Sequence, residues 1–182
     1  MSIGLRKAIF GLVASVIVLA IFVMAGFWLL AMWIDRILGW GPTLGTPLSQ
    51  VLGAASLLIG VFWVTWSYSY LLFVGQGLPL EWFGVALHPT RVLVTTGPYA
   101  YVRNPAVIGL LFLGLGVAFL ADSLAGVLLV PVIAALAAVY LVLFEEKALA
   151  KRFEDDYEEY RRNVPLLIPR LTPYVHTTKA PS

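Results

Sequence analysis

"RNPAVIGLLFLGLGVAFLADSLAGVLLVPVIAALAAVYLVLFEE", residues 103–146, decides the fold. Between Arg103 and Glu145 its one charged residue is Asp122. Two apolar stretches, 105–121 and 124–144, lie on either side. At ~1.5 Å per residue they rise ~25 and ~32 Å, close to the ~30 Å of a bilayer's hydrocarbon core. Asp122 and Ser123 leave room only for a tight helical hairpin. Such a hairpin returns both ends to one membrane face, so Arg103, Asn104, Glu145 and Glu146 converge there. Pro131 is expected to kink the second member.

Two more spans precede the hairpin. Residues 8–34 are uncharged and follow Arg6 and Lys7. The run is too long for a cleaved signal sequence and shows no A-x-A site, so it reads as a retained span. Gly39, Gly41, Pro42, Gly45 and Pro47 mark a turn, and residues 48–74 form the second span. The composition agrees: 60% of the 182 residues are apolar and 12% charged, against about a quarter charged in soluble domains. With the N-terminus inside, every lysine and arginine except Arg36 falls on the cytoplasmic side, as such flanks prefer.

The expected fold is therefore all-α and integral to the membrane. It has four transmembrane helices, the last two a C-terminal hairpin, then a cytoplasmic amphipathic helix and a proline-rich tail. Residues 1–74 form an N-terminal pair and residues 75–182 a core. Both termini and the polar cluster face the cytoplasm.

The chain has no cysteine, which excludes disulfides, thiolate nucleophiles and thiolate metal sites. Its 2 histidines, His88 and His176, are too few for a histidine-built metal site; no metal and no nucleic acid is expected. His88, before a proline, reads as structural or solvated.

Each polar residue of the cluster also has a plain structural reading. Asn104 followed by Pro105 is a good helix start, the amide capping exposed N–H groups. Arg103 suits a positive flank, and Gly97-Pro98 a turn. Glu145 and Glu146 differ, because adjacent residues face different sides of a helix. One of them points inward, where an unpaired carboxylate is expensive. The helix start at Asn104 favours an anion and the carboxylates favour cations or hydroxyls. A zwitterion would be matched at both ends.

After Glu146, Leu149, Phe153, Tyr157 and Tyr160 recur at helical spacing. The stripe reads either as a helix against the membrane surface or as a lid over the cluster. Pro165, Pro169 and Pro173 forbid a regular helix beyond it. Leu166, Leu167, Ile168 and Leu171 would hold that tail at the interface, and the last seven residues read as a disordered end. Residues 92–96, Val-Leu-Val-Thr-Thr, favour extended structure. Trp63, Trp66, Tyr68 and Tyr70 read as packing and interfacial residues, or as the lining of a lipid-facing groove.

"LVTTGPYAYVRNPAVIG" (93–109), a hairpin, and "EEKALAKRFEDDYEEYRRNVPLLIP" (145–169) together resemble the isoprenylcysteine carboxyl methyltransferase and phospholipid methyltransferase superfamily. The resemblance implies S-adenosylmethionine bound on the cytoplasmic side, in a pocket closed by the C-terminal segment. It implies a lipid-like or other hydrophobic acceptor arriving through the membrane, with membrane lipids as neighbours. Carried over by position, the cofactor contacts are Arg91, Val92, Leu93, Val94, Tyr99, Asn104, Pro105, Ala106, Val107 and Glu145. Arg103, with the N–H groups after Asn104, is assigned to the cofactor's carboxylate. No catalytic residue is assigned; Arg103, Asn104 and Glu146 are positioning candidates.

Five positions depart from the family pattern. Asn104 stands for a histidine and cannot titrate near neutral pH. Val107 stands for a tyrosine, Glu154 for a glycine and Leu166 for an arginine. Leu141 stands where prenylcysteine enzymes carry an arginine, which argues against a prenylcysteine carboxylate as acceptor. One alternative is an NADPH-dependent reductase of the sterol-reductase type, whose phosphate calls for more cations than Arg91 and Arg103. The other is a non-catalytic subunit or transporter; transport calls for polar residues at mid-membrane, and spans three and four offer none.

Overall fold

A computed structural model describes residues 3–77, 81–82, 85–86 and 90–175, with side chains for residues 21–77 and 90–175. His88 and the last seven residues, given roles above, lie outside them. Five helices carry the chain: α1 (Ile3–Leu38), α2 (Leu48–Phe73), α3 (Pro105–Leu120), α4 (Leu124–Tyr140) and α5 (Glu146–Asn163). The two-residue strands β1 (Glu81–Trp82) and β2 (Val85–Ala86) pair antiparallel between α2 and α3. Residues 92–96, expected to be extended, are in no strand, and Thr96 has extended backbone angles.

Three helical stretches are long and apolar enough to cross a membrane: Ile21–Leu38, Leu48–Phe73 and the run Leu124–Asn163. α3 is apolar but shorter, at 16 residues. It sits between its neighbours, touching α2, α4 and α1. Its most extensive contact is with α2, so the core expected over 75–182 is packed chiefly on a helix of the N-terminal pair.

The α2–α3 seam is built from small residues. Ser49, Gly53, Ser56, Gly60 and Ser67 form the buried face of α2, while Val51, Leu58 and Phe62 point outward and are exposed. In hydrocarbon the hydrophobic effect does not drive helices together, so close backbone approach and dispersion must. Gly53 and Gly60 meet Leu120 and Leu113 of α3; Gly116 and Gly109 meet Leu57 and Val64 of α2. A Cβ on Gly109 would lie 2.8 Å from the Val64 backbone nitrogen and 2.9 Å from the Gly60 carbonyl oxygen. Hydroxyls toward the end of this helix are satisfied locally: Ser67 donates to the Trp63 carbonyl at 2.6 Å and Thr65 to that of Val61 at 2.7 Å.

The hairpin turn is held by acids. Asp122 adopts φ 49°, a left-handed conformation that aspartate tolerates better than most residues. Its carboxylate accepts N–H groups of Thr43, Leu44 and Gly45 at 3.0, 2.9 and 2.8 Å. These bonds, that from Leu44 foremost, hold its carboxyl below the usual range. Asp35 at the end of α1 accepts the Ser123 hydroxyl and the Ala125 N–H, the latter at 2.9 Å. Ser123 in turn caps α4, accepting from Gly126 at 3.0 Å. Sequence marks Asp122 only as part of the turn and gives Asp35 no role, because their partners lie 79 and 88 residues away.

α4 runs helically through Pro131. A departure from α geometry comes at Leu141–Glu145, where one turn widens into a π-helix before α5 continues. α5 bends within its length: Glu154 takes φ 46°, ψ −121°.

Gly109→Leu is expected to destabilise the protein by about 1–3 kcal/mol or more, because rigid backbone leaves the new side chain no room. The unfolding midpoint in detergent should fall, whereas Gly26→Leu, with nothing within 4 Å of its Cβ, should leave it unchanged.

Candidate active site

At the end of the helices opposite the Asp122 turn, one cavity of about 220 Å³ opens among α2, α3, α5 and the segment before α3. That segment begins with a 3₁₀ turn, Gly97–Ala100. Gly97 is required there: its φ is +60°, and a Cβ would come within 2.3 Å of the Tyr70 ring. Trp66 packs on Tyr101 with ring centroids 6.2 Å apart, tying the turn to α2. The proline-rich tail folds back over the same segment. Arg103 N–H donates to Pro165 at 2.9 Å, Arg170 N–H to Tyr101 at 2.9 Å and Tyr174 N–H to Ala100 at 2.8 Å. Backbone hydrogen bonds thus contribute to holding the tail, while Ile168 and Leu171 project outward, 79% and 99% exposed.

Arg103 is the centre of this end. Its guanidinium lies 2.6 Å from a Glu146 carboxylate oxygen, both side chains almost withdrawn from solvent. It also donates to the carbonyls of Arg161 and Val164 at 2.6 and 2.9 Å. One side chain therefore joins the entry to α3, the start of α5, its end and the tail. The widened turn at 141–145 leads directly into the acid pair. Glu146 is buried and Glu145 half-buried, yet both line the cavity, where one inward carboxylate had been expected.

Asn104 occupies the N-cap position of α3, but its side chain caps nothing. It reaches the Leu166 carbonyl instead, at 3.4 Å. The cap expected from sequence is lost to the tail, so no side chain closes off the first turn of α3, where Ala106 and Val107 line the cavity. Such a terminus favours negative charge.

Tyr99 is buried, and its carbonyl accepts the Tyr160 hydroxyl at 2.7 Å. Desolvation first, then the neighbouring Tyr160, Glu145 and Tyr68, pushes its phenol well above the usual value of 10.0. It remains a neutral donor throughout the physiological range.

Of the residues assigned from sequence, the lining includes Leu93, Val94, Tyr99, Arg103, Asn104, Pro105, Ala106, Val107, Glu145 and Glu146. Arg91 and Val92 are exposed and stand outside it. The sequence reading missed Leu71 of α2, Thr90, Leu110 and Arg152, and gave Tyr68 only as a packing or interfacial residue or the lining of a lipid-facing groove. Leu149, Tyr157 and Tyr160 were visible as an apolar stripe, and the stripe turns inward as cavity wall. Tyr157, Tyr160 and Val164 form a small core there, with Leu93, Phe153 and Tyr174 packed against it.

Glu154 is the strained position of this wall. Left-handed φ costs a non-glycine residue of order 1–3 kcal/mol, and the resemblance places a glycine here. Glu154→Gly is expected to raise the unfolding midpoint, by about 1 kcal/mol of stability, whereas Glu158→Gly, within the regular helix, should lower it.

The cavity's chemistry is mixed. It offers carboxylates for hydroxyl or ammonium groups, cations and uncapped N–H groups for a carboxylate, and apolar walls for the rest.

The family model described as phospholipid methyltransferase matches residues 48–156, more than half of the chain, from the start of α2 into α5. Among curated relatives, "Protein-S-isoprenylcysteine O-methyltransferase" of Schizosaccharomyces pombe is 37% identical over 79 residues, covering 43% of this chain and 34% of that protein. "Methanethiol S-methyltransferase 2" of Bradyrhizobium diazoefficiens is 34% identical over 143 residues, covering 72% of this chain and 53% of that protein. The chain thus spans a third to about half of the length of these relatives. The matched region contains the small-residue seam, the hairpin, the acid pair and most of the cavity wall, and the chain belongs to the phospholipid methyltransferase family.

Proposed function

We propose that the protein is an S-adenosylmethionine-dependent methyltransferase of the membrane. It acts at the cytoplasmic face on a lipid-like or other hydrophobic small-molecule acceptor. The observation that supports this most is the single cavity joining the uncapped start of α3, Tyr99 and the Glu145–Glu146 pair. Basic residues concentrate at the same end, which supports its cytoplasmic orientation.

When bound, S-adenosylmethionine supplies a methyl group on a sulfonium that departs as a neutral thioether. The chain's contribution is to bind, orient and exclude water. Glu145 accepts from the donor's hydroxyl or ammonium groups. Tyr99, held as a phenol, lies on the nucleoside side. Tyr157 and Tyr160 of α5 close the wall, while Tyr68, Leu71 and Leu110 form its α2 and α3 sides.

Transfer from a sulfonium needs a lone pair on the acceptor, which a thiolate, a carboxylate or a neutral amine brings with it. The activities in the two relatives' names, O-methylation of a prenylcysteine and S-methylation of methanethiol, both lie in that range. Leu141, buried one turn before Glu145, offers no charge to a prenylcysteine carboxylate, which favours an acceptor without that group.

Glu145→Ala is expected to lower the affinity for S-adenosylmethionine by about 10- to 100-fold, the worth of a charge-assisted hydrogen bond. Calorimetry in detergent measures it, with the unfolding midpoint showing that the variant is folded. Unchanged affinity removes Glu145 from the donor site.

A further inference from the structure

We infer that the hydroxyl of Tyr157, together with the first turn of α3, receives the carboxylate of the methyl donor's amino-acid end; this rests on the donor proposed above. Tyr157 lines the cavity and is 1% exposed. Its hydroxyl nevertheless has no hydrogen-bond partner among the described residues. Buried hydroxyls are normally paired, because an unpaired one forfeits the bonds it made in water. Tyr160, one turn further along α5, follows that rule: its hydroxyl donates to the Tyr99 carbonyl at 2.7 Å. The two rings are neighbours, 6.2 Å between centroids. Tyr160 ties α5 to the segment before α3, whereas Tyr157 brings to the cavity a donor that the fold does not use.

The charges that act on this hydroxyl show where it lies: Glu146, Arg103, Glu145 and Arg161. They put it at the polar corner of the cavity, beside the entry to α3. Arg103 immediately precedes Asn104, and no side chain caps the first turn of α3. The helix terminus and the phenol, neutral at physiological pH, both donate. On the methyl donor, the carboxylate is the acceptor that takes several such bonds at once. Arg103, given this carboxylate from sequence, already has its terminal nitrogens on Glu146 and on the carbonyls of Arg161 and Val164. Its part is to hold α5, and Tyr157 with it, against α3.

Acids in the same corner fit this ligand. Its ammonium and carboxylate share one carbon, so a site for it must set acceptors and donors side by side. Glu146 is compensated by Arg103 at 2.6 Å and lies 4.0 Å from Arg161, which limits its repulsion of a second carboxylate. Tyr157 also stands just beyond the bend at Glu154. A ligand held between its hydroxyl and the start of α3 therefore bridges α3 to the part of α5 that closes the cavity.

The test compares two nucleosides on the full-length protein in detergent. S-Adenosylhomocysteine carries the amino-acid end; 5′-methylthioadenosine has the same nucleoside without it. Calorimetry should show Tyr157→Phe weakening S-adenosylhomocysteine by about 10-fold, the worth of one hydrogen bond to a charged group, and leaving 5′-methylthioadenosine unchanged. The unfolding midpoint of ligand-free Tyr157→Phe should not fall, because the hydroxyl it removes has no partner. That of Tyr160→Phe should fall, because it strands the Tyr99 carbonyl. Equal weakening of both nucleosides, weakening of neither, or a lower midpoint for Tyr157→Phe overturns the assignment while leaving the donor in place. Failure of the wild-type protein to bind S-adenosylhomocysteine overturns the donor itself and this inference with it.

Discussion

A largely buried arginine holds the cavity end of this molecule together. Arg103 is drawn out of water among groups that would each be costly to bury alone: the Glu146 carboxylate and two carbonyls at the end of α5. Breaking one side of such a pair strands a charge in the interior and generally costs about 3–5 kcal/mol. Because its partners come from elements far apart in the chain, their satisfaction fixes where α5 lies on α3. The cavity is the space left between those two elements and α2.

The remainder of the fold makes that arrangement possible. At the far end Asp122 and Asp35 gather backbone N–H groups around the hairpin turn, which fixes the register of α3 on α4 and α1. Along the seam, Gly53 and Gly60 face leucines of α3 while Gly109 and Gly116 face Val64 and Leu57 of α2. Backbone against backbone allows little sliding, so the mouth of the cavity is carried on rigid helices, as precise positioning of a small ligand requires. α5 is the contrasting element. It is polar, bent at Glu154 and fastened by side chains rather than by a seam.

The large architecture was readable because it follows from hydropathy and length. Two apolar runs around Asp122-Ser123 make a hairpin whatever else they do, and a hairpin must return Asn104 and Glu145 to one side. Both line the same cavity. What escaped were choices settled by distant partners. Asn104 followed by proline has every local mark of a cap, but the Leu166 carbonyl, 62 residues on, claims its amide. Val92 to Thr96 has strand composition but is assigned to no strand. Nor could sequence show that Arg103 serves the carbonyls of Arg161 and Val164, which carry no residue identity. The seven-residue spacing of both glycine pairs was on the page, but not the register that brings them together.

Glu154 shows the opposite case. Sequence flagged the position because a glycine was expected there, and the backbone supplies the reason: a left-handed bend that carries Tyr157 and Tyr160 back onto the cavity. The side chain strains the bend without changing its course.

Ultraviolet cross-linking of radiolabelled S-adenosylmethionine to the full-length protein, followed by peptide mapping, tests most directly whether this cavity holds the donor. Label is expected on peptides containing Tyr99 or the Glu145 to Tyr160 segment, and excess S-adenosylhomocysteine should abolish it. Label confined to the open groove of α1, around Trp33 and Trp40, or label that excess S-adenosylhomocysteine leaves in place, would contradict it.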